Sequence, residues 1–522
     1  MEHPELVLLG MVGAAVALLL LADRLKLPYP VLLVLGGLGL SFMPWLETPE
    51  LAPELVLVIF LPPLLYSAAL YNSPRDLLRN AGPISLLSLG LVLLTVGGVA
   101  VAAHALVGLS WPTAFVLGAV VSPTDAAAAI FIAQRLPIPR RVLVIIEGEN
   151  LVNDGPALVS YQLAVAAVST GVFVAWRAGL GFVLTVTGGA AIGLAVGWMI
   201  GLIRRRLDNP QVEITLSLAT GYLAYIPAEE AGVSGVIAAV TAGLYLGWQA
   251  PRLVGPVTRL QTVSVWQSIQ FLLNAALFIL VGSQLPGILD DLGDERVTTM
   301  ALDALLISLV VIVLRVAWVF ALTYGPRALF HHMRERDVTP WQNLLLLSWT
   351  GMRGGVSLAA ALAIPIATTA GTAFPDRDRI IFLTFGVILV TLLVQSLTLP
   401  PMLRRLRVAF DDDDDREEVA ARVEAANAAI ARLDQLAGED WVREDTAERV
   451  RALYRFRAGR FEARQRGDGA VEARSADYQR LMRELISAQR AVLLRLRNER
   501  RISDEVMRRV ERELDLEEVR LE

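Results

Sequence analysis

Stretches of about twenty apolar residues follow one another from the N-terminus to about residue 405, separated by short polar segments. A helix needs about 20 apolar residues to cross the ~30 Å hydrocarbon core of a bilayer. The pattern therefore predicts an all-α polytopic membrane protein and excludes a soluble enzyme. We predict about thirteen transmembrane helices, at roughly 5–22, 29–46, 51–70, 82–108, 112–134, 142–170, 172–203, 212–227, 231–248, 262–285, 299–325, 341–366 and 380–403.

The pattern changes at residue 411, where the aspartate run Asp411–Asp415 begins a polar segment rich in Glu, Arg, Ala and Leu. We therefore divide the chain into a transmembrane domain, 1–410, and a cytoplasmic helical tail, 411–522. Glycines predict breaks in the tail helices near Gly438 and Gly467–Gly469. Solvated helices are the simplest interpretation of this tail, and a regulatory or dimer-stabilising role is the alternative.

Basic residues alternate between the two sides of the predicted spans. Loops after odd-numbered spans carry 18 Lys and Arg, whereas loops after even-numbered spans carry 4. Because basic loops stay in the cytoplasm, this asymmetry predicts an outside N-terminus and a cytoplasmic tail. It also supports an odd number of spans. We expect a multi-pass protein of the plasma membrane, the inner membrane of a bacterium, with the lipid bilayer around it.

Composition excludes several kinds of chemistry. The chain contains no cysteine, so it has no disulfide, Cys-zinc site or thiol nucleophile, and its four histidines lack a metal-ligand spacing. The net charge of −5 belongs to the tail, which holds 23 Arg against 28 Asp and Glu. No basic stripe indicates a nucleic-acid partner, and we expect no cofactor.

Two of the predicted spans are interrupted. Span five contains Ser122–Asp125, in which Pro123 removes a backbone donor. Span twelve contains Gly351–Gly355, three glycines around Arg353. Broken helices expose end dipoles and free carbonyls that a bound ion can satisfy. Asp125 beside one break and Arg353 within the other carry charges that compensate such dipoles.

The two interruptions occupy matching positions in the chain. If span seven is removed as a linker, spans 1–6 and 8–13 form two halves, and the fifth helix of each half is broken. The halves start on opposite sides of the membrane, which is the signature of an inverted repeat. The sequence therefore predicts inverted six-helix repeats with two crossing broken helices.

Few ionisable groups remain inside the spans once the loops are assigned. An ionisable group within the bilayer costs at least ~2.5–3.5 kcal/mol, so each is a functional candidate, and a buried ion pair that only holds helices together is the alternative. The groups are Asp125, Glu147, Glu149, Asp154, Arg315 and Arg353, with Glu54 and Glu213 near span ends.

Span six concentrates oxygen ligands within one helical turn. Asn150, Asn153 and Asp154 lie together there, and Asn150 and Asp154 share a helix face at a spacing of four residues. Carboxylate and amide oxygens suit a hard alkali cation. Nothing in this cluster resembles a nucleophile with its base. We predict Na⁺ or K⁺ as the bound ion.

The motifs together resemble the sodium/hydrogen exchanger type of the monovalent cation/proton antiporter superfamily. The resemblance covers nearly all of residues 5–405 and rests on four motifs in order: Phe60–Tyr66 (FLPPLLY), Ser122–Asp125 (SPTD), Glu149–Asp154 (ENLVND) and Gly351–Gly355 (GMRGG). It implies thirteen helices, a dimer-forming domain and a moving core domain that contains the crossed broken helices.

The resemblance also implies roles for particular residues. Asp154 is expected to bind the cation or the proton beside Asn153, with Thr124, Asn150 and Asp125 in the same site. Glu149 is expected to pair with Arg315 as a structural bridge. The family often has an acidic residue where this chain has Ser67, and that departure bears on the ion coordination and on the choice between Na⁺ and K⁺.

Competition between a proton and a cation for Asp154 is sufficient for antiport, because the core can move when either ligand neutralises the carboxylate. With Asn153 in place of a second aspartate, we predict electroneutral 1:1 exchange of Na⁺ or K⁺ for H⁺, serving pH and cation homeostasis. A K⁺-selective proton antiporter is one alternative. An ion channel with a regulatory tail is another, a membrane-embedded hydrolase lacks its catalytic groups, and an organic-anion transporter requires more basic residues at the midplane.

Overall fold

The computed structural model describes most of the chain: residues 28–41, 53–133, 138–170, 175–284, 294–329, 340–369, 371–406, 413–466 and 469–519, with a few isolated positions elsewhere. Within these ranges the expected all-helical architecture is confirmed. Strand pairing there is limited to a single bridge between Ala367 and Ala373. The chain forms two compact units, Met1–Phe410 and Asp411–Glu522.

The described residues of the first unit are mainly helical. In chain order the helices are α1 (Tyr29–Ser41), α2 (Pro53–Tyr71), α3 (Pro74–Arg79), α4 (Ala81–Val107), α5 (Trp111–Val120), α6 (Ala127–Ala133), α7 (Arg140–Thr170), α8 (Ala175–Arg204), α9 (Pro210–Glu230), α10 (Gly235–Leu253), α11 (Pro256–Ser283), α12 (Asp294–Leu329), α13 (Trp341–Trp349), α14 (Gly355–Leu362) and α15 (Arg377–Leu406).

These helices correspond to the predicted spans, with several differences at the ends. The first predicted span, 5–22, lies largely outside the described residues, and so does the end of the second. Helix α4 contains two π-helical segments, Leu86–Leu91 and Ala103–Val107, which the apolar pattern did not reveal. Five of the described helices are long and apolar enough to cross a membrane by length and composition, namely α4, α11, α15 and the segments Gly179–Arg204 and Thr298–Gly325. The total of thirteen spans stays a prediction.

Both predicted interruptions are confirmed. The backbone leaves the helix over 121–126, between α5 and α6, where Pro123 cannot donate a helical hydrogen bond. It leaves the helix again over 350–354, between α13 and α14, in the glycine-rich segment. The Asp125 amide donates to the Met352 carbonyl over 2.8 Å, so the two breaks lie directly against each other.

Close approach of helix backbones depends on glycine at particular positions. A Cβ at Gly282 on α11 would collide with the backbone carbonyl of Val34 on α1. A Cβ at Gly118 on α5 would likewise meet the carbonyl of Val96 on α4. Small residues are favoured between membrane helices because lipid provides little hydrophobic force for their association, and close packing replaces it.

The described residues of the second unit form four helices: α16 (Asp413–Leu436), α17 (Glu444–Arg466), α18 (Gly469–Asn498) and α19 (Asp504–Val519). The predicted break near Gly438 is confirmed by a turn that separates α16 from α17. Residues 467–468 of the second predicted break lie outside the described ranges. A further break at 499–503 was not predicted. Ile486 and Leu514 form a small buried contact between α18 and α19.

Candidate functional site

A cavity of about 600 Å³ opens beside the two helix breaks. Its wall combines apolar side chains of α2 with polar groups from both breaks, from α7 and from α11. The predicted site residues that line it are Thr124, Asp125, Asn150 and Asp154. The structure therefore brings four of the six predicted ion-site residues to one space. Asn153 and Ser67 do not line it.

Asp154 is the carboxylate with the fewest restraints in this cavity. Its residue is 4% exposed, and among the described residues no side chain or backbone group donates to it. Helix α7 continues through the following Gly155-Pro156 pair without a break. Pro156 has no N–H for the carbonyl of Val152, however, so one backbone oxygen near the carboxylate has no helical donor. Asp154 is thus a cavity-lining carboxylate without a hydrogen-bond donor among the described residues.

Asn153 faces away from the cavity and positions the first break. Its Nδ2 donates to the Thr124 hydroxyl over 2.7 Å and to the Thr124 carbonyl over 3.1 Å. The Thr124 hydroxyl in turn donates to Glu149 Oε1 over 3.1 Å. Asn150 adds a second link between α7 and this break, because its Oδ1 accepts the Ala126 amide over 3.0 Å. The side-chain amides of Asn150 and Asn153 thus hold the unwound segment between α5 and α6 in place.

Glu149 and Arg315 form a buried ion pair behind this network. Arg315 donates to both carboxylate oxygens of Glu149, with Nη2 to Oε2 at 2.8 Å. It also donates to the carbonyls of Leu347 and Ser348, over 3.0 and 3.1 Å. Those carbonyls end α13, where a cation is stabilised by the helix dipole. The pair therefore joins α7, α12 and the second break.

Charged groups occupy the helix ends at the crossing. The Asp125 Oδ1 accepts the Ala127 amide over 2.8 Å at the start of α6, and the other oxygen lies against Gly354 at the start of α14. Arg353 is fully buried and donates to the Ser122 carbonyl after α5. The Asp125 carboxylate thus lies at the N-termini of α6 and α14. Arg353 and Arg315 lie at the C-terminal ends of α5 and α13, respectively.

Ser67 lies next to the cavity but not on its surface. Its hydroxyl donates to the Pro63 carbonyl within α2 over 2.6 Å and accepts Nε2 of Gln270 over 2.7 Å. Gln270 itself lines the cavity. The polar group that lines the cavity next to Ser67 is therefore the Gln270 amide, which Ser67 positions.

Sequence reasoning missed a polar face on α11. Gln267, Gln270 and Asn274 all line the cavity. They follow one another at spacings of three and four residues, which places them on one side of a helix. That spacing of the three amide side chains was the available signal. Amide side chains carry no charge, so they do not stand out among the ionisable residues of the spans.

The arrangement suits reversible occupation by a small cation. Carboxylate and amide groups surround a concave space beside the two unwound backbone segments. Asp125 is engaged by helix ends, whereas Asp154 has no such partner. The described site contains no arrangement of nucleophile and base.

Comparison with known proteins also indicates a cation exchanger. The family model for "Sodium/hydrogen exchanger, transmembrane" matches residues 11–405. Rv2287 of Mycobacterium tuberculosis, named an uncharacterized Na(+)/H(+) exchanger, is 38% identical over 529 residues, covering 99% of this chain and 96% of its own length. The Na(+)/H(+) antiporter ApNhaP of Aphanothece halophytica is 35% identical over 412 residues, covering 78% of this chain and 75% of its own.

A solved structure shares the fold. The sodium proton antiporter MjNhaP1 of Methanocaldococcus jannaschii aligns with a TM-score of 0.64 at 20% identity, over 78% of this chain and 100% of the solved chain. The match to Rv2287 extends through the tail, whereas the matches to ApNhaP and MjNhaP1 cover a share of the chain close to that of the first unit.

Proposed function

The chain belongs to the sodium/hydrogen exchanger family and is a membrane-embedded secondary transporter rather than an enzyme, and from this premise we propose that it exchanges Na⁺ for H⁺ at Asp154. The observation that carries the proposal is the state of this carboxylate: it faces the cavity between the broken helices and has no donor among the described residues. A proton and a cation compete for it, and either one neutralises it before the core moves.

We further propose that one charge is exchanged for one charge. Asp125 also lines the cavity, but its oxygens face the starts of α6 and α14, and the helix dipoles offset its charge throughout the cycle. Asn153, the neighbour of Asp154, is neutral. With a single titrating carboxylate the exchange is electroneutral, and the chemical gradients of the two ions drive it.

K⁺ is the second cation that we propose as a substrate. The Ser67 hydroxyl stands where relatives often place a carboxylate, and the Gln270 amide that it positions is neutral, so the site offers less negative charge to the ion. Weaker charge favours the cation that is easier to dehydrate, which is K⁺. A K⁺-selective proton antiporter is accordingly the alternative within the same mechanism.

We propose that the protein lies in the bacterial inner membrane with its N-terminus outside and residues 411–522 in the cytoplasm, as the loop charges favour. We also propose inverted repeats, a homodimer, and a role in pH and cation homeostasis. The tail is proposed to regulate transport, because the first unit is compact without it.

The test is exchange in proteoliposomes that contain purified protein and a pH-sensitive dye, with Na⁺, K⁺ or Li⁺ added outside. Wild-type protein should move protons against each cation that it accepts, and Asp154→Asn should abolish all such exchange. Glu147→Gln is the matched control, because it removes one carboxylate from the same helix outside the cavity lining. Exchange by Asp154→Asn at the wild-type rate would overturn the proposal.

The pH dependence tests the stoichiometry. When one proton competes with one cation, the apparent KM for the cation rises by up to about tenfold for each unit that the pH falls. Two competing protons would give up to about a hundredfold and would contradict 1:1 exchange. A steady cation current without proton counter-flux would instead support the ion-channel alternative.

A further inference from the structure

The tail contains a second cavity, which the proposed ion exchange does not use. Its volume is about 1140 Å³, and it lies between α16, α17 and α18, with Glu517 of α19 at its edge. The space exists because α16 presents three alanines there, Ala425, Ala426 and Ala429. All of its lining residues belong to the second compact unit.

Three guanidinium groups and the Glu517 carboxylate line this cavity, and Arg422 also pairs with Glu418 on its own helix. Arg422 and Arg460 both stack on the ring of Phe461, at 4.8 and 4.9 Å from its centroid. Their charges are therefore held no more than about 10 Å apart, although like charges repel. Arg457 lies 5.6 Å from the Tyr454 ring, and no carboxylate of the described tail pairs with it. A phosphate in this cavity can accept hydrogen bonds from the guanidinium groups that line it.

Aromatic rings form another wall of the same cavity. Phe456 and Tyr478 meet edge to face with centroids 6.2 Å apart, yet they remain 50% and 46% exposed. Exposed aromatic rings provide a stacking surface for a nucleobase. Arginine matches phosphate oxygens with two donors at once, which a lysine cannot do. The same cavity thus offers arginines to an anionic phosphate and aromatic rings to a planar base.

We propose that the tail binds a nucleotide in this cavity, with its phosphates among Arg422, Arg457 and Arg460 and its base against Phe456 and Tyr478. A concave site with aromatic walls and a few convergent polar groups is typical of small-ligand binding. The overall excess of acidic residues in the tail makes a local group of three arginines a selective feature for an anion. The inference concerns the tail alone and does not depend on the transport mechanism.

The test is a titration of the full-length protein in detergent with ribose-labelled fluorescent ATP and GTP. We expect saturable binding, displaced by unlabelled nucleotides and displaced at least tenfold less well by tripolyphosphate or by adenosine. Equal displacement by tripolyphosphate would overturn the assignment of the aromatic rings to a base. Displacement by phosphatidylglycerol vesicles as effective as that by ATP would assign the arginines to a lipid surface and overturn the proposal.

Variants locate the site. Arg457→Gln should weaken binding about tenfold or more, whereas Arg508→Gln, the same change at an exposed position of α19, should leave it unchanged. Ala425→Trp fills the cavity without altering its charge and should abolish binding, with Ala420→Trp on the same helix as its control. No saturable binding of either nucleotide, or equal binding by Arg457→Gln and Ala425→Trp, would overturn the proposal. A change of oligomeric state in these variants, without nucleotide binding, would identify the cavity as an interface between two tails.

Discussion

The carboxylate of Asp125 fills the place that a side chain at Gly354 would need. A Cβ at Gly354 would overlap Asp125 Oδ2, so the two helix breaks can cross only with glycine at this position. The contact places one negative charge at the start of α14, while the same residue caps α6 through the Ala127 amide. The Asp125 carboxylate thus lies at the N-termini of both α6 and α14, and it fits there because Gly354 has no side chain.

Gly354→Ala should therefore destabilise the crossing. The added methyl forces Asp125 or the backbone to shift, and overpacking of this kind costs about 1–3 kcal/mol. The measurement is the thermal unfolding midpoint of the purified protein in detergent. Gly39→Ala is the control, since a Cβ there meets nothing within 4 Å. In an Asp125→Gly background, which removes every Asp125 side-chain atom near the added methyl, the penalty should shrink, and an unchanged penalty would contradict the steric explanation.

Loss of the Glu149–Arg315 pair should lower the stability of the protein more than its affinity for the ion. Removal of one partner of a buried pair leaves an uncompensated charge and costs about 3–5 kcal/mol. Glu149→Ala should accordingly lower the yield of folded protein and its unfolding midpoint. Arg379, which pairs with Asp303 over 3.0 Å and is partly exposed, provides the control through Arg379→Ala, with an expected cost of about 0–1 kcal/mol. Well-folded Glu149→Ala with only a shifted cation KM would assign the pair to the ion site.

Ser67 should set the cation preference through Gln270. Ser67→Asp keeps an acceptor for the Gln270 amide and adds a negative charge beside the cavity, so the apparent affinity for Na⁺ should rise severalfold relative to that for K⁺. Ser67→Asn is the matched control, because it has the same shape without the charge. The measurement is the KM for each cation in proteoliposomes. A preference that is the same in all three proteins would remove Ser67 from the determinants of selectivity.

The tail should be dispensable for transport. The chain divides into compact units at residue 410, so truncation after that position should leave exchange intact and shift its pH dependence. Dye-coupled exchange between pH 6 and 9 (about three pH units) would measure the shift against the full-length protein. Complete loss of exchange in truncated protein that still inserts and elutes as a single species would make the tail part of the transport unit.

Much of this arrangement could be predicted from the sequence, because the signals were local. Pro123 and the three glycines around Arg353 disturb their own helices, so the breaks were predictable. The direction in which Arg353 reaches was not, because its bond to the Ser122 carbonyl spans 231 residues and depends on the crossing. The contribution of Gln270 was missed for a related reason. The polar face of α11 indicates a site only when the cavity beside that helix is known.

Asn153→Asp addresses the stoichiometry most directly. In the wild-type protein Asn153 donates to Thr124, and an aspartate cannot donate unless it is protonated, so the variant must either keep a proton or lose the contact. Beside Asp154 it forms a coupled pair of carboxylates that titrates in two steps. If both charges enter the moving site, two protons can be exchanged for one cation and transport becomes voltage-dependent. We expect a current in solid-supported membranes from Asn153→Asp and none from the wild type, with Asn153→Ser as the neutral control that tests loss of the Thr124 contact alone. A wild-type current of the same size would show that the native exchange already moves net charge, and the single-carboxylate mechanism would then be wrong.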